Sequence, residues 1–489
     1  MQHAEFHSGL IWASLTTAIV AGFALGAYLA VVIGYGFPVG QGFYSLLQTH
    51  GHLQLVGWAG LFIMGVSLHF IPRLASFPLP HPERIDWILW LMASGLLLRV
   101  VGGTAMASLA GNPFFVPLSW LVVASGLLEG GAIVLYVSLL IGTMRGSDKA
   151  GRLPGLSAVK PYFGMMVVGW VLYACLNLFL LLHMALDSTS TVDPAWNDIA
   201  IQTFMNLVLL PVAFALSVRL FPLYLALAAP DWPVYGTAYA YLLSVLLQVV
   251  PTAPPLAGLA PEATRLIVAL GTLIKGGVIL WFAWQLDLLT RRRPIGRHAR
   301  FLEIGPDRPP TRPGLPDYGE FGRFERLVYA AYTWLVLAAF AELLSGAATL
   351  LGHSIPIGTD AIRHMYLLGF ITHLVFGASV RMLPGFLRKK SVASTALVDT
   401  TFWLGSTAAV CRVVPLLLPS WLFDELPAGT VLAQTAFALS GLLGWGAVLC
   451  LATNLRQTQC NCSQGATEQR PMVARDPGSA LRAEGYRER

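Results

Sequence analysis

Residues 52–72 read HLQLVGWAGLFIMGVSLHFIP, and residues 364–384 read HMYLLGFITHLVFGASVRMLP. Shifted by 312 positions, His52 falls on His364, Gly57 on Gly369, Gly65 on Gly377, Ser67 on Ser379 and Pro72 on Pro384. Each run has the roughly 20 mostly apolar residues that a helix needs to cross a bilayer. A fainter third copy lies at an offset of 150, keeping Ser217 and Pro222 and placing Gln202 at the histidine position. A second set of repeats has a similar period: SGLLEGGAIVL from Ser125 matches SGLLGWGAVLC from Ser440, and EGGAIVLY from Glu129 matches KGGVILWF from Lys275. Two sets agreeing on one period predict three four-helix units, about 1–150, 151–315 and 316–455.

The rest of the chain fits a membrane setting. Its 489 residues are 56% hydrophobic and 11% charged, with a mean hydropathy of +0.65. Soluble chains carry about 25% charged residues, so a soluble enzyme, a nucleic-acid binder and a disordered protein are all excluded. Twelve apolar stretches follow one another, approximately 10–36, 48–72, 86–110, 114–143, 161–186, 197–222, 234–252, 262–289, 326–352, 360–384, 396–418 and 428–454. They are continuously apolar rather than alternating, which predicts an all-α integral membrane protein and not a barrel. A polar tail, 456–489, is expected to be disordered. Five cysteines give no disulfide framework, and the Cys460/Cys462 pair supplies half a metal site at most.

Basic residues set the expected orientation. Arg145, Lys149, Arg152 and Lys160 follow the fourth stretch, Arg291, Arg292, Arg293, Arg297 and Arg300 the eighth, and Arg388, Lys389 and Lys390 the tenth. The connections after the fifth and eleventh hold Asp187, Asp193 and Asp198, and Asp424 and Glu425. Basic loops after even-numbered spans predict that both termini lie in the cytoplasm.

Most histidines then gather on the outer side: His50, His52, His183, His353, His364 and His373. His69 lies near the inner end of its helix, where the other copies have Arg219 and Arg381, and is expected to snorkel. His52 and His364 sit at equal depth on two helices running the same way, an arrangement that could clamp a haem iron. Gly57, Gly65, Gly369 and Gly377 would let a flat macrocycle approach. His50 points about 200° from His52, so only one of the two can join the same iron; the other is free for a second metal or a propionate. His373 reads equally as a ligand or as a packed, hydrogen-bonded histidine. Charges inside spans are functional by default. Arg99 and Arg412 would neutralise propionates, or form buried pairs, Arg99 with Glu129 and Arg412 with Asp399. Glu129 and Lys275 could also mark a proton path.

The run His50-Gly-His52-Leu-Gln-Leu-Val-Gly57-Trp58 resembles the H-x-H-E-x-x-x-G-F signature of the NnrS family, twelve-span bacterial proteins of the nitric oxide response described as haem- and copper-containing. Asn177 to His183 and Arg363-His364-Met-Tyr-Leu-Leu-Gly369-Phe370 are similar to further stretches of that family, whereas Leu53 stands where it usually has glutamate. The three four-helix arcs also resemble the catalytic subunit of haem–copper oxidases, in which a low-spin haem bridges the second and tenth helices. The copper histidines of those enzymes come from the sixth and seventh helices, and this chain has none there.

These resemblances imply a haem b protein of nitric oxide response or denitrification. Its cofactor-binding residues would be His52, His364, His50, Arg363, Arg99 and Arg412. Copper would be drawn from His50, His52, His183, His353, His364 and His373, and a quinol or cytochrome would donate electrons. Two other readings stay open: a divergent nitric oxide or oxygen reductase of the haem–copper class, and a transporter with its buried charges along a pathway.

Overall fold

The computed structural model describes residues 6–460, apart from 39, 41, 110–111, 152–155, 259, 294–314, 316, 318, 354, 356 and 419–428. Arg152, Arg297, Arg300, Asp424, Glu425 and Cys462 lie outside the described residues. Among the described residues every regular element is a helix, and twelve helices are long and apolar enough to cross a membrane. They are α1 Gly9–Gly34, α2 Phe43–Leu74, α3 Arg84–Ser108, α4 Phe115–Lys149, α5 Ser157–Leu186, α6 Pro194–Tyr224, α7 Val234–Thr252, α8 Pro261–Leu286, α9 Phe324–Leu350, α10 Thr359–Phe386, α11 Thr395–Leu417 and α12 Gly429–Cys460. The last helix runs to Cys460, five residues past the expected end of the membrane domain at 455.

Nine helices form a ring around three. Neighbours α3 and α4, α4 and α5, α7 and α8, α8 and α9, and α11 and α12 pack together, and α12 closes back on α1. The apolar windows of α2, α6 and α10 are 89%, 83% and 72% buried inside the protein, and no other helix exceeds 50%. These three carry the repeated sequence. A helix facing protein on every side is constrained at every position, whereas a ring helix needs only greasy side chains on its lipid face.

All three inner helices widen into a π-helical stretch: Leu53–Gly60, Phe204–Leu209 and Met365–Thr372. The first maps onto the third at the same offset of 312 that aligns the sequences (53 + 312 = 365; 60 + 312 = 372). Each also keeps a proline inside its last turns, Pro72, Pro222 and Pro384. A π-stretch swings the side chains that follow it around the axis and recurs at functional sites. Here all three lie just inside the end of the bundle where α2 and α10 begin.

Candidate functional site

A cavity of about 630 Å³ opens at that end, within the range of ligand-binding pockets. It reaches both sides of α2. On one side it is lined by Phe23 and Gly26 of α1, Arg412 of α11, and Phe437, Gly441 and Gly444 of α12; on the other by Arg99 of α3, Val122 of α4, and Tyr173, Asn177 and Leu181 of α5. His50, His52 and Trp58 of α2, and Asp360, Arg363 and His364 of α10, complete the wall.

Two glycines on the cavity wall are positions of close approach between protein groups. A Cβ on Gly26 would come within 2.5 Å of the His50 ring, and one on Gly441 within 2.5 Å of the α1 backbone at Ala27. Gly57, Gly65, Gly369 and Gly377 do not serve the cavity. They let Thr17, Ile11, Trp334 and Val328 of neighbouring helices pack against them, so they are helix-packing positions rather than a berth for a macrocycle.

His50 and His364 share one geometry. His50 donates from Nδ1 to the Gly22 carbonyl at 2.9 Å, and His364 donates from Nδ1 to the Asp360 carbonyl at 2.9 Å. Asp360 Oδ1 lies a further 3.4 Å from His364 Nδ1. A carbonyl only accepts, so each bond fixes the proton on Nδ1 and leaves the Nε2 lone pair available. Neither Nε2 has a hydrogen-bond partner among the described residues. Asp360, His364 and Arg412 line the same cavity as His50.

His52 is turned away from that pair. Its Nδ1 meets the Tyr173 hydroxyl at 2.9 Å, and its Nε2 lies 3.0 Å from Glu129 Oε2, an ion-pair distance with a bent approach. Asn177 links this pair to α3: its amide approaches Glu129 Oε2 at 3.4 Å, and its carbonyl accepts from Arg99 Nη2 at 2.8 Å. His52 therefore does not share the bonding geometry of His364, whereas His50 does. Spacing fixes depth on a helix, but the direction of a ring follows the partners around it.

The three arginines do gather on the cavity. Arg363 pairs with Asp198, Arg412 lies 4.3 Å over the Phe437 ring, and Arg99 holds Asn177. The Nε atoms of all three are buried without a hydrogen-bond partner. The expected pairs Arg99–Glu129 and Arg412–Asp399 do not form; Glu129 meets His52, and Asp399 lies 3.8 Å from Arg326.

The remaining histidines do not converge. His183 stacks edgewise on Phe179 at 4.4 Å, and His353 lies exposed after α9. His373 is fully buried, held by the Leu368 carbonyl and by Ser406 Oγ at 3.3 Å. His69 is buried against Phe6 and Phe386 rather than reaching outward. Among the described residues no group of three or more His, Cys, Asp or Glu side chains could hold a metal ion, so the copper set expected from these histidines does not assemble.

Lys275 occupies the seam between the second and third units. Its Nζ lies 2.7 Å from Glu342 Oε1 and 3.2 Å from Asn206 Oδ1, and 5.3 Å above the Tyr366 ring. Tyr366 donates to Glu342 Oε2 at 2.8 Å. Glu342 could be found in the sequence as a charge within a span; Tyr366, Asn206 and Tyr173 could not, because nothing in the pattern distinguishes them from packing residues.

Nine helices around three, with a cavity beside α2 and α10, make this a multi-pass membrane protein. The chain is similar to a heme-copper terminal oxidase solved as a dimer by cryo-EM, with a TM-score of 0.66 and 16% identity over 93% of this chain and 83% of the other. No family model matches the sequence, and no curated protein matches it.

Proposed function

We propose that this chain is a bacterial inner-membrane haem protein in which His50 and His364 hold one b-type haem. The observation that carries this reading is the matched pair of imidazoles lining one cavity, each tied through Nδ1 to a main-chain carbonyl and each with Nε2 unbonded. Iron-binding histidines are held in this way, the second nitrogen donating to a carbonyl and orienting the ring. Arg412 and Arg363, each with a buried and unpartnered Nε, supply guanidinium groups for propionates. Phe23, Trp58 and Phe437 supply aromatic faces on the same cavity for a flat ring. Bound there, a haem supplies a one-electron couple and an iron that binds small gases.

The resemblance of the His50–Trp58 run to NnrS supports a role in nitric oxide response or denitrification, with the cavity end facing the periplasm and Arg291–Arg293 and Arg388–Lys390 the cytoplasm. The histidines that the resemblance to haem–copper oxidases expects in the sixth and seventh helices have no counterpart in α6 and α7, which carry Gln202, Asn206 and Gln248 instead. The test is the absorption spectrum of protein purified from haem-replete cells. His50→Ala and His364→Ala are expected to abolish the reduced Soret and α bands, while His52→Ala retains them. A colourless wild-type protein would overturn the proposal.

A further inference from the structure

The α3–α5 side of the cavity is bordered by the connection from α5 to α6. Ser190, Thr191 and Val192 of that connection form part of the wall, together with Arg99, Tyr173 and Asn177. The segment reads Asp187-Ser-Thr-Ser-Thr-Val-Asp193, one apolar residue in seven. Val192 is also the one residue of the seven that is buried. A cover meant only to pack would bring more apolar surface; this one keeps its polar side chains toward water and inserts a single valine.

Its attachment to the bundle is concentrated at one point. The Gln48 side chain of α2, 144 positions away, donates from Nε2 to the Val192 carbonyl at 3.0 Å. Its Oε1 accepts from the Val192 amide, also at 3.0 Å. One amide thus satisfies both main-chain groups of one residue, as a paired strand would. Among the described residues no other hydrogen bond joins 190–192 to another helix.

The two ends of the segment are fixed independently of Gln48. At α5, the Thr189 amide bonds the Met184 carbonyl at 3.0 Å, and Ser188 turns the chain back with a left-handed φ of 54°. At α6, Asp193 caps the helix by accepting from the Trp196 amide at 2.9 Å. Asp198, one turn further on, pairs with Arg363 of α10. Element-terminal residues such as Ser188 and Asp193 are where a hinge absorbs a change in backbone angles. Between them, two neutral hydrogen bonds hold the segment down, and losing both shifts an open–closed balance by about tenfold or more. A segment held this way opens without unfolding the helices on either side.

We propose that residues 188–193 are a hinged lid on the α3–α5 side of the cavity, latched by Gln48, and that its opening admits small water-borne solutes to Arg99, Tyr173 and Asn177. Opening withdraws one valine and leaves the polar side chains solvated as before. The lid stands on this geometry with or without a haem in the cavity.

The test is the rate at which the permanently charged thiol reagent MTSET modifies a cysteine placed inside the purified full-length protein in lipid nanodiscs. Val122→Cys is the reporter, on the cavity wall and 3% exposed as valine. Mass spectrometry of its peptide separates it from the native cysteines. Slow modification is expected in Val122→Cys alone, and modification faster by about tenfold or more when Gln48→Ala is added. Gln48→Glu, which still accepts from the Val192 amide but no longer donates to its carbonyl, is expected to fall between. Native Cys450 on α12 is expected to react at an unchanged rate, which separates lid opening from a general loosening. Amide hydrogen exchange across 187–193 is expected to quicken in the same order. A reporter rate unaffected by Gln48→Ala, or a rise matched at Cys450, would overturn the proposal.

Discussion

His52 and Glu129 face each other 3.0 Å apart inside the membrane, at 8% and 1% exposure, joining the second helix to the fourth. The contact gives His52 a structural duty and leaves His50 to the cavity. Two histidines separated by a single glycine thus serve opposite sides of one helix.

Removing one member of that pair strands the other in a low-dielectric interior. Glu129→Ala is expected to cost about 3–5 kcal/mol, the usual penalty for breaking a buried pair. Thermal unfolding followed by circular dichroism checks this, and Glu129→Gln, which can still accept from His52, should lose less.

Lys275 and Glu342 make the same prediction with a stronger control. Lys275→Met leaves the Glu342 carboxylate unpaired and is expected to destabilise the protein by about 3–5 kcal/mol. The double change Lys275→Met with Glu342→Met is expected to recover most of the loss, because an apolar replacement of both partners leaves no stranded charge.

Gly26 tests the cavity itself. A methyl group there would sit 2.5 Å from the His50 ring, closer than packed atoms allow, and the ring must swing. Gly26→Ala is expected to lower haem content while leaving the His52–Glu129 side intact. Haem per chain, measured as the pyridine complex, reports the first effect, and an unchanged melting temperature the second.

Asp287, just beyond α8, offers a pH signature outside the membrane. Burial raises its pKa, but hydrogen bonds from Thr290 Oγ1 and the Arg292 and Arg293 amides outweigh this and hold it below the ordinary 3.8. A carboxylate with a depressed folded value stabilises above its unfolded pKa and loses that contribution as pH falls through the folded one. The melting-temperature difference between wild type and Asp287→Asn should therefore be widest near neutrality and shrink below about pH 4.

The spans were legible because a bilayer demands length and apolarity, and both are local properties of sequence. Gly57 and Gly369 illustrate the limit. Their alignment marks them as places of close approach, but not whether the visitor is a cofactor or a tryptophan; in the structure Trp334 fills the space at Gly369. His50 was set second to His52 because symmetry favoured the residue aligned with His364. Symmetry governs the backbone, while Gly22 and Tyr173, which orient the two rings, break it. Arg99, Arg363 and Arg412 were visible as costly charges in spans, and that cost is a property of the residue itself.

Gly444 aligns with Glu129, and Glu129 with Lys275. The two charged members are sunk in their own seams, whereas the glycine borders the open chamber. A threefold scaffold with one vacancy and two plugs carries spare capacity: exchanging a single plug for a small residue, together with its counter-charge, would hollow out a second chamber without redrawing the backbone. Diversification of such a ring can proceed by unblocking rather than by building.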